Sequence, residues 1–345
     1  MKTKIIGSLL GAAIGDGFGY PTEFMKYGEI IGKWGPKGLR APIGEIIEIT
    51  DDTQMAVAVS KAIMSSYEAA DIKPIKFEKA LRKEFIEWMN SAENNRAPGM
   101  TCMRSCENLE LGLKWEAATA KNSKGCGVNM RVNPVGLLKF KDKSITESQI
   151  GQWAQFQSAI THGHAVALAA SELTALTTIK IINGVDPNYL VEELIAHCDS
   201  QASIYHIDYL GSVWERPGIN TPEDYINRGW KDCKEILLKV KEAIKLQDRV
   251  SDPCDFTGEG WIAEEAFATA LVCFLLYPDD AVETLIRAVN TRGDSDSIAC
   301  LAGGFAGAKN GIDSFPETWR NRLELKYKIA LEQYGAFILN DKKTI

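Results

Sequence analysis

At 345 residues, with 45% apolar and 25% charged side chains, the chain has the composition of a soluble globular protein and the length to bury a large core. Its formal charge of −7 argues against a general nucleic-acid surface, which needs a basic stripe, so small-molecule or protein partners fit better. Eight cysteines, at positions 102, 106, 126, 198, 233, 254, 273 and 300, form no CxxC pair, which argues for buried thiols in a reducing cytoplasm over a zinc site.

In chain order, residues 5–14 predict a buried helix, too short and too rich in glycine to span a membrane. Gly7, Gly11 and Gly15 recur every four residues and form a smooth strip that another helix can approach closely. A glycine inside a helix costs about 1 kcal/mol relative to alanine, so three of them need a packing reason. Asp16-Gly17 is expected to end this helix, and Pro21-Thr22-Glu23-Phe24 places a carboxylate in a loop. Residues 26–48, punctuated by glycine and proline, read as irregular. Helices follow over 55–70 and 77–89, the second amphipathic with Leu81, Phe85 and Trp88 inward. A loop at Asn95-Arg96-Ala97-Pro98-Gly99 leads to a helical stretch ending near 120.

Gly125-Cys126-Gly127-Val128-Asn129-Met130-Arg131 reads as a flexible loop with a run of backbone donors. It can cradle an anion, but its spacing is neither the P-loop nor the dinucleotide fingerprint, and alone it reads as a turn. Thr161 is expected to cap a helix running to 178, with His162 and His164 in its first turn. Another helix is expected over 191–198. Residues 204–230 form an aromatic, turn-rich excursion, and 230–246 a charged amphipathic helix. Gly258-Glu259-Gly260-Trp261 opens an alanine-rich helix to 277, and residues 280–290 come next. Residues 298–308 are almost entirely small or apolar and belong at the centre, stopping at Asn310-Gly311. The tail from Pro316 reads as one more amphipathic helix. With no alternating strands, linker or repeat, the expectation is an all-α fold in one domain over residues 1–345.

Two acidic clusters carry the chemistry. Thr50-Asp51-Asp52-Thr53 and Gly293-Asp294-Ser295-Asp296-Ser297 each precede an apolar helix. Either one alone reads equally well as a helix start, with acids complementing the dipole and Thr50 as N-cap. Together they could meet in space as one site. Two carboxylates about 4 Å apart repel by roughly 4 kcal/mol at an effective dielectric of 20, so convergence demands protons or cations. The donors are hard oxygens, including the hydroxyls of Thr50 and Ser297, which suit Mg²⁺ or Mn²⁺. Glu23 would bring the acids to five, near balance with two divalent ions. Cys126 and the serines lie in no nucleophile pattern.

Taken together, Gly15-Asp16-Gly17 with Pro21 and Glu23, Thr50-Asp51-Asp52-Thr53-Gln54-Met55, Arg96-Ala97-Pro98-Gly99, the 125–131 loop, Thr161-His162, Gly258-x-Gly260-Trp261-x-x-Glu264-Glu265-Ala266 and the 293–297 cluster closely resemble the ADP-ribosylglycohydrolase family. These seven pieces stand in the family's order over nearly the whole chain. The resemblance implies a compact multi-helix orthogonal bundle with a binuclear magnesium centre, manganese being the alternative. Thr50, Asp51 and Asp52 match one set of metal ligands, and Asp294, Asp296 and Ser297 the other. Ser297 stands where members commonly have threonine, and the hydroxyl survives the change. Gly125, Gly127, Asn129, Met130 and Arg131 match the segment that holds diphosphate and ribose. His162 and Trp261 match positions that contact ADP-ribose and border its adenine.

The implied activity is Mg²⁺-dependent removal of ADP-ribose from a modified protein side chain, ADP-ribosylarginine being favoured, with Glu23 or Asp51 as the catalytic carboxylate. Some arginine-acting members carry an acidic residue where this chain has Ser123-Lys124, which leaves the general base open between those two. The resemblance also admits a non-catalytic binder of ADP-ribose or metal, as in related lens crystallins. It admits protection against an ADP-ribosyltransferase toxin as well, with residues 204–230 as a contact surface.

Overall fold

The computed structural model describes residues 1–340, and among these the chain is all α-helix with a few single 3₁₀ turns and no strand. Residues 341–345, the end of the expected domain, lie outside the described residues.

The glycine strip has its packing reason. The N-terminal helix, Lys2–Gly19, lies along the small-residue helix Ser295–Asn310 more extensively than any other pair packs. A β-carbon on Gly7 would stand 2.6 Å from the Gly307 carbonyl oxygen, one on Gly11 2.5 Å from that of Gly303, and one on Gly15 2.0 Å from that of Ala299. Any side chain there would force the two backbones apart, so the entropic cost of glycine is offset by close helix–helix contact. This pair is the spine of the molecule. The Ala165–Ile182, Ala263–Leu276 and Ala281–Val289 helices pack around it, and their apolar residues are almost wholly buried. Ala165–Ile182 is long and apolar enough to cross a membrane, but 94% of it is buried within the protein, which accounts for its composition.

Several boundaries differ from expectation. The first helix does not stop at Asp16-Gly17 but continues to Gly19, because Asp16 faces inward and is fully satisfied by another segment. Residues 26–48 contain a helix, Tyr27–Trp34, whose start is held by the Glu29 carboxylate accepting the Lys26 N–H at 2.7 Å. Thr161 is not a cap. The helix begins at Ala165 with His164 Nδ1 accepting the Val166 N–H, 3.2 Å, as its cap. Glu147–Ala159 is a helix without any sequence expectation. Buried Gln155, Gln157 and Ser158 mask its apolar period, although Thr146 and Gln149 form a capping box. The helix expected over 230–246 begins earlier, at Pro222. The tail from Pro316 forms two helices, Glu317–Arg322 and Leu325–Ile338. Within residues 204–221, Arg216 reaches the carbonyls of Lys121, Gly163 and Val213 at 2.6–2.8 Å, so the excursion braces the turn after His162.

Candidate active site

The two acidic clusters meet. Asp51 and Asp52 open the Asp51–Ser66 helix, and Asp294, Asp296 and Ser297 lie at the start of Ser295–Asn310. The spine packing sets their positions, since the turn carrying Glu23 is a continuation of the first helix. Thr22 Oγ1 lies 2.7 Å from the Gly19 and Val289 carbonyls and 3.0 Å from Ser295 Oγ, tying that turn to the second acidic cluster. Gly293 adopts φ +90°, and a β-carbon there would meet the Glu259 carbonyl at 2.2 Å. Only glycine allows this turn to accommodate both constraints. One oxygen each of Glu23, Asp294 and Asp296 lie within 4.8 Å of one another. Ser297 Oγ donates to Asp52 Oδ1 at 3.3 Å, linking the clusters directly.

Asp16 organises the first cluster and was not among the expected site residues. Its carboxylate accepts from Thr50 N–H (3.0 Å), Thr50 Oγ1 (2.7 Å), Thr53 N–H (3.1 Å) and Thr53 Oγ1. It therefore caps the Asp51–Ser66 helix from another helix, satisfying orphan first-turn donors. Thr50 itself is wholly buried behind the acids, with its hydroxyl donated to Asp16 and accepting the Asp52 N–H at 3.4 Å. Asp51 Oδ2 accepts the Gly99 N–H at 3.1 Å, which draws the 96–99 loop to the cluster. Arg96 holds that loop from the other side, through Glu324 and the Ile49 carbonyl.

The acids form the floor of a cleft of about 340 Å³. Its walls include the 97–102 segment, Gly125, Cys126, Gly127, Met130 and His162, and its rim includes Phe24 and Trp261. These two rings stack, with centroids 5.4 Å apart and planes 21° off parallel, and both are exposed. Phe24 (φ +62°) and Ala97 (φ +53°), both lining the cleft, adopt the left-handed conformation rare for non-glycine residues. The 125–131 segment is not flexible. Cys126 N–H donates to the Trp261 carbonyl at 3.2 Å and Ala263 N–H to that of Lys124 at 2.8 Å, pinning the glycine loop to the Trp261 segment.

Among the expected substrate-contacting residues, Gly125, Gly127, Met130, His162 and Trp261 line this cleft, whereas Asn129 and Arg131 do not. Both are wholly buried. Asn129 Nδ2 donates to the Ala263 carbonyl at 2.7 Å. Arg131 spends its donors on Gln157 (2.8 and 2.7 Å) and Thr161 Oγ1 (2.7 Å), and lies 4.5 Å from the Phe85 ring centroid. Arg131 reaches His162 through Thr161. Thr161 Oγ1 accepts from Arg131 at 2.7 Å and lies 2.8 Å from His162 Nδ1 and 3.5 Å from the Ser158 carbonyl, which holds the ring with its Nε2 edge toward Gly125. Burial, with Arg131 nearby, lowers the His162 pKa to about 3, so the ring stays neutral.

The carboxylates are crowded and desolvated. Burial, then Asp296 and Asp51, pushes Glu23 up to about 9, and burial raises Asp294 to about 6. Asp51, Asp52 and Asp296 are raised well above the ordinary range, in each case mainly by burial, with neighbouring acids adding to it. Asp52 Oδ2 and Glu23 Oε2 are buried without a hydrogen-bond partner. Unpartnered oxygens in a set of hard donors are what a divalent cation would satisfy, so the residues present fit a metal.

This has a sign. A carboxyl whose pKa is higher in the folded than in the unfolded state stabilises fully below its unfolded value and loses that contribution as pH rises through the folded one. Metal-free protein is therefore expected to melt lower at pH 9 than at pH 5, the window running from the ordinary glutamate value of 4.5 up to about 9 for Glu23. Mg²⁺ should restore on the order of a few degrees, more at pH 9 than at pH 5. Thermal melts in chelator and in Mg²⁺ test this; a Mg²⁺ effect equal at both pH values would contradict it.

The ADP-ribosylglycohydrolase family model matches residues 1–342. The chain belongs to the ADP-ribosylglycohydrolase family. It is 25% identical over 332 residues to the ADP-ribosyl-[dinitrogen reductase] glycohydrolase of Rhodospirillum rubrum, covering 94% of this chain and 91% of that one. It is 27% identical over 301 residues to ADP-ribosylhydrolase ARH3 of Homo sapiens, covering 81% and 76%. A solved structure, an ADP-ribosylglycohydrolase-related protein complex, superposes with a TM-score of 0.67 at 20% identity, covering 98% of each chain, and shares the fold. Membership of the family makes the chain an ADP-ribosylglycohydrolase, a hydrolase that removes ADP-ribose.

Proposed function

We propose that this family member is a Mg²⁺-dependent hydrolase that releases ADP-ribose from modified protein side chains, ADP-ribosylarginine first among them, and so reverses mono-ADP-ribosylation in a reducing cytoplasm. The observation that carries the reading is the convergence of Glu23, Asp51, Asp52, Asp294 and Asp296 on the floor of one cleft, two of them with unpartnered oxygens.

Asp51, Asp52, Asp294, Asp296 and Ser297, with Thr50 behind them, would hold two divalent ions, Mg²⁺ or Mn²⁺. Bound there, the ions supply Lewis-acid stabilisation and a water of lowered pKa. Glu23 is the better general base of the two candidates, because Asp51 already accepts the Gly99 N–H whereas Glu23 Oε2 is free. Nearby positive charge would bring Glu23 down from about 9, so that it takes a proton from water as that water attacks ribose C1″, while the C1″–N bond to the arginine side chain breaks and the departing guanidine takes up a proton. The His162 ring and the Gly125–Gly127 backbone line the same cleft and would face the phosphate or ribose oxygens of the substrate. A β-carbon on Gly125 would press on His162 Nε2 at 3.1 Å and one on Gly127 on Cys102 Sγ at 2.9 Å, so a side chain at either position would displace its neighbour. The Phe24–Trp261 pair offers ring faces to a planar base.

The test is a panel of arginine-, serine- and nucleic-acid-linked ADP-ribose, with free ADP-ribose measured with and without Mg²⁺. Mg²⁺-dependent release from the arginine linkage is expected. Release from another linkage alone would reassign the substrate. Tight ADP-ribose binding without release from any of the three would instead mark the chain as a binder.

A further inference from the structure

One wall of the cleft carries a soft donor among the hard ones. Cys126 Sγ lies 2.7 Å from Asp294 Oδ2 and 3.8 Å from Ser297 Oγ. The thiol lines the cleft and is only half-buried. The backbone that carries it is anchored, since the Cys126 N–H is held by the Trp261 carbonyl at 3.2 Å and Gly125 bridges to Ile262. The second observation is independent of the thiol. Asp52 is 2% exposed, lines the same cleft, and keeps Oδ2 unpartnered while Oδ1 accepts from the same Ser297 hydroxyl that approaches the sulfur. The other cysteine at the cleft, Cys102, is buried on the far side, with its sulfur 3.6 Å from Arg131 Nη1.

We infer that Cys126 is a sulfur ligand of the metal site, and that it gives this chain an affinity for borderline and soft divalent ions such as Co²⁺, Zn²⁺ and Cd²⁺ that its oxygen donors alone would not provide. Oxygen donors favour Mg²⁺ and Mn²⁺, and a thiolate shifts the preference toward thiophilic ions. On binding, the thiol proton leaves to solvent and a metal–sulfur bond forms, with no change of oxidation state. The inference rests on the reading that the acidic cluster holds cations, and the experiment separates the two.

Metal-free protein is titrated with Co²⁺ and, in parallel, with Cd²⁺, while binding is followed by calorimetry and thiolate-to-metal charge transfer by near-ultraviolet absorption. The wild-type protein is expected to bind Co²⁺ with such a band. Cys126→Ser should still bind Co²⁺ but lose the band, weakening Co²⁺ and Cd²⁺ binding by about 10-fold or more with little change in Mg²⁺ binding. Cys102→Ser should keep both band and affinity. Stoichiometric Co²⁺ binding without a band would overturn the sulfur ligand and leave the metal site standing, as would a band that survives Cys126→Ser. Absence of any divalent-ion binding would overturn the metal reading itself. Circular dichroism establishes that each variant is folded, and Cys126→Ala is a second variant in which no hydroxyl can replace the sulfur.

Discussion

Asp296→Asn is expected to cut ADP-ribose release by more than about 100-fold, since even outer-shell changes at metal sites cost 10- to 100-fold. Asp296 bears on the rest of the site through its charge. Its charge is among the causes that raise Glu23, Asp51 and Asp52, and its Oδ1 accepts the Ser297 N–H at 2.9 Å. Asparagine keeps the shape and that acceptor but removes one charge from a cluster that repels itself. Without metal, relief of that repulsion should raise the melting temperature by on the order of a few degrees. With Mg²⁺ the variant should gain less than the wild type, because a ligand charge is missing. Activity and metal-free stability thus move in opposite directions. Release assays paired with melts in chelator and in Mg²⁺ check this, and a variant that keeps wild-type release would remove Asp296 from the site.

The parts of the site that were legible in the sequence are those whose signal is local. Asp51, Asp52, Asp294 and Asp296 stood out because two acids beside a hydroxyl residue and an apolar helix form a repeated short pattern. The glycine strip was legible because a period of four has one meaning on a helix. Whether the clusters meet was not legible from spacing, since some 240 residues separate them and only the packing of the first helix on Ser295–Asn310 joins them. Arg131 was misplaced for a related reason. The family resemblance puts it in the segment that holds diphosphate and ribose, yet its partners Gln157, Thr161 and Phe85 come from distant segments. A charged residue that is fully buried and fully paired leaves no local mark. The Glu147–Ala159 helix escaped because its buried face carries glutamines that bond inside the protein, and hydrophobic period alone does not register them.

Asp16 presents the opposite case to Asp296. It looked like a helix-ending residue, and it is the acceptor for four donors at the start of the Asp51–Ser66 helix. Burial pushes its carboxyl up to about 6, and the same four donors limit that rise. Asp16→Ala would leave two backbone N–H groups and two hydroxyls of a buried turn without their acceptor. Each buried unsatisfied group costs about 1–3 kcal/mol, less whatever the hydroxyls recover by turning elsewhere. A loss of about 3 kcal/mol is expected, lowering the melting temperature by on the order of 5 °C or more. Because Asp16 also fixes where Thr50, Asp51 and Asp52 stand, Mg²⁺ affinity should fall by about 10-fold or more, as for residues that orient ligands without touching the ion. Asp16→Asn keeps one acceptor oxygen and should recover part of both losses, which separates positioning from general damage to the fold. Melts in chelator together with Mg²⁺ calorimetry read both quantities. Replacing Asp16 should destabilise the metal-free protein where replacing Asp296 stabilises it. If both replacements stabilise it, then Asp16 is one more repelling acid and not the residue that holds the cluster in place.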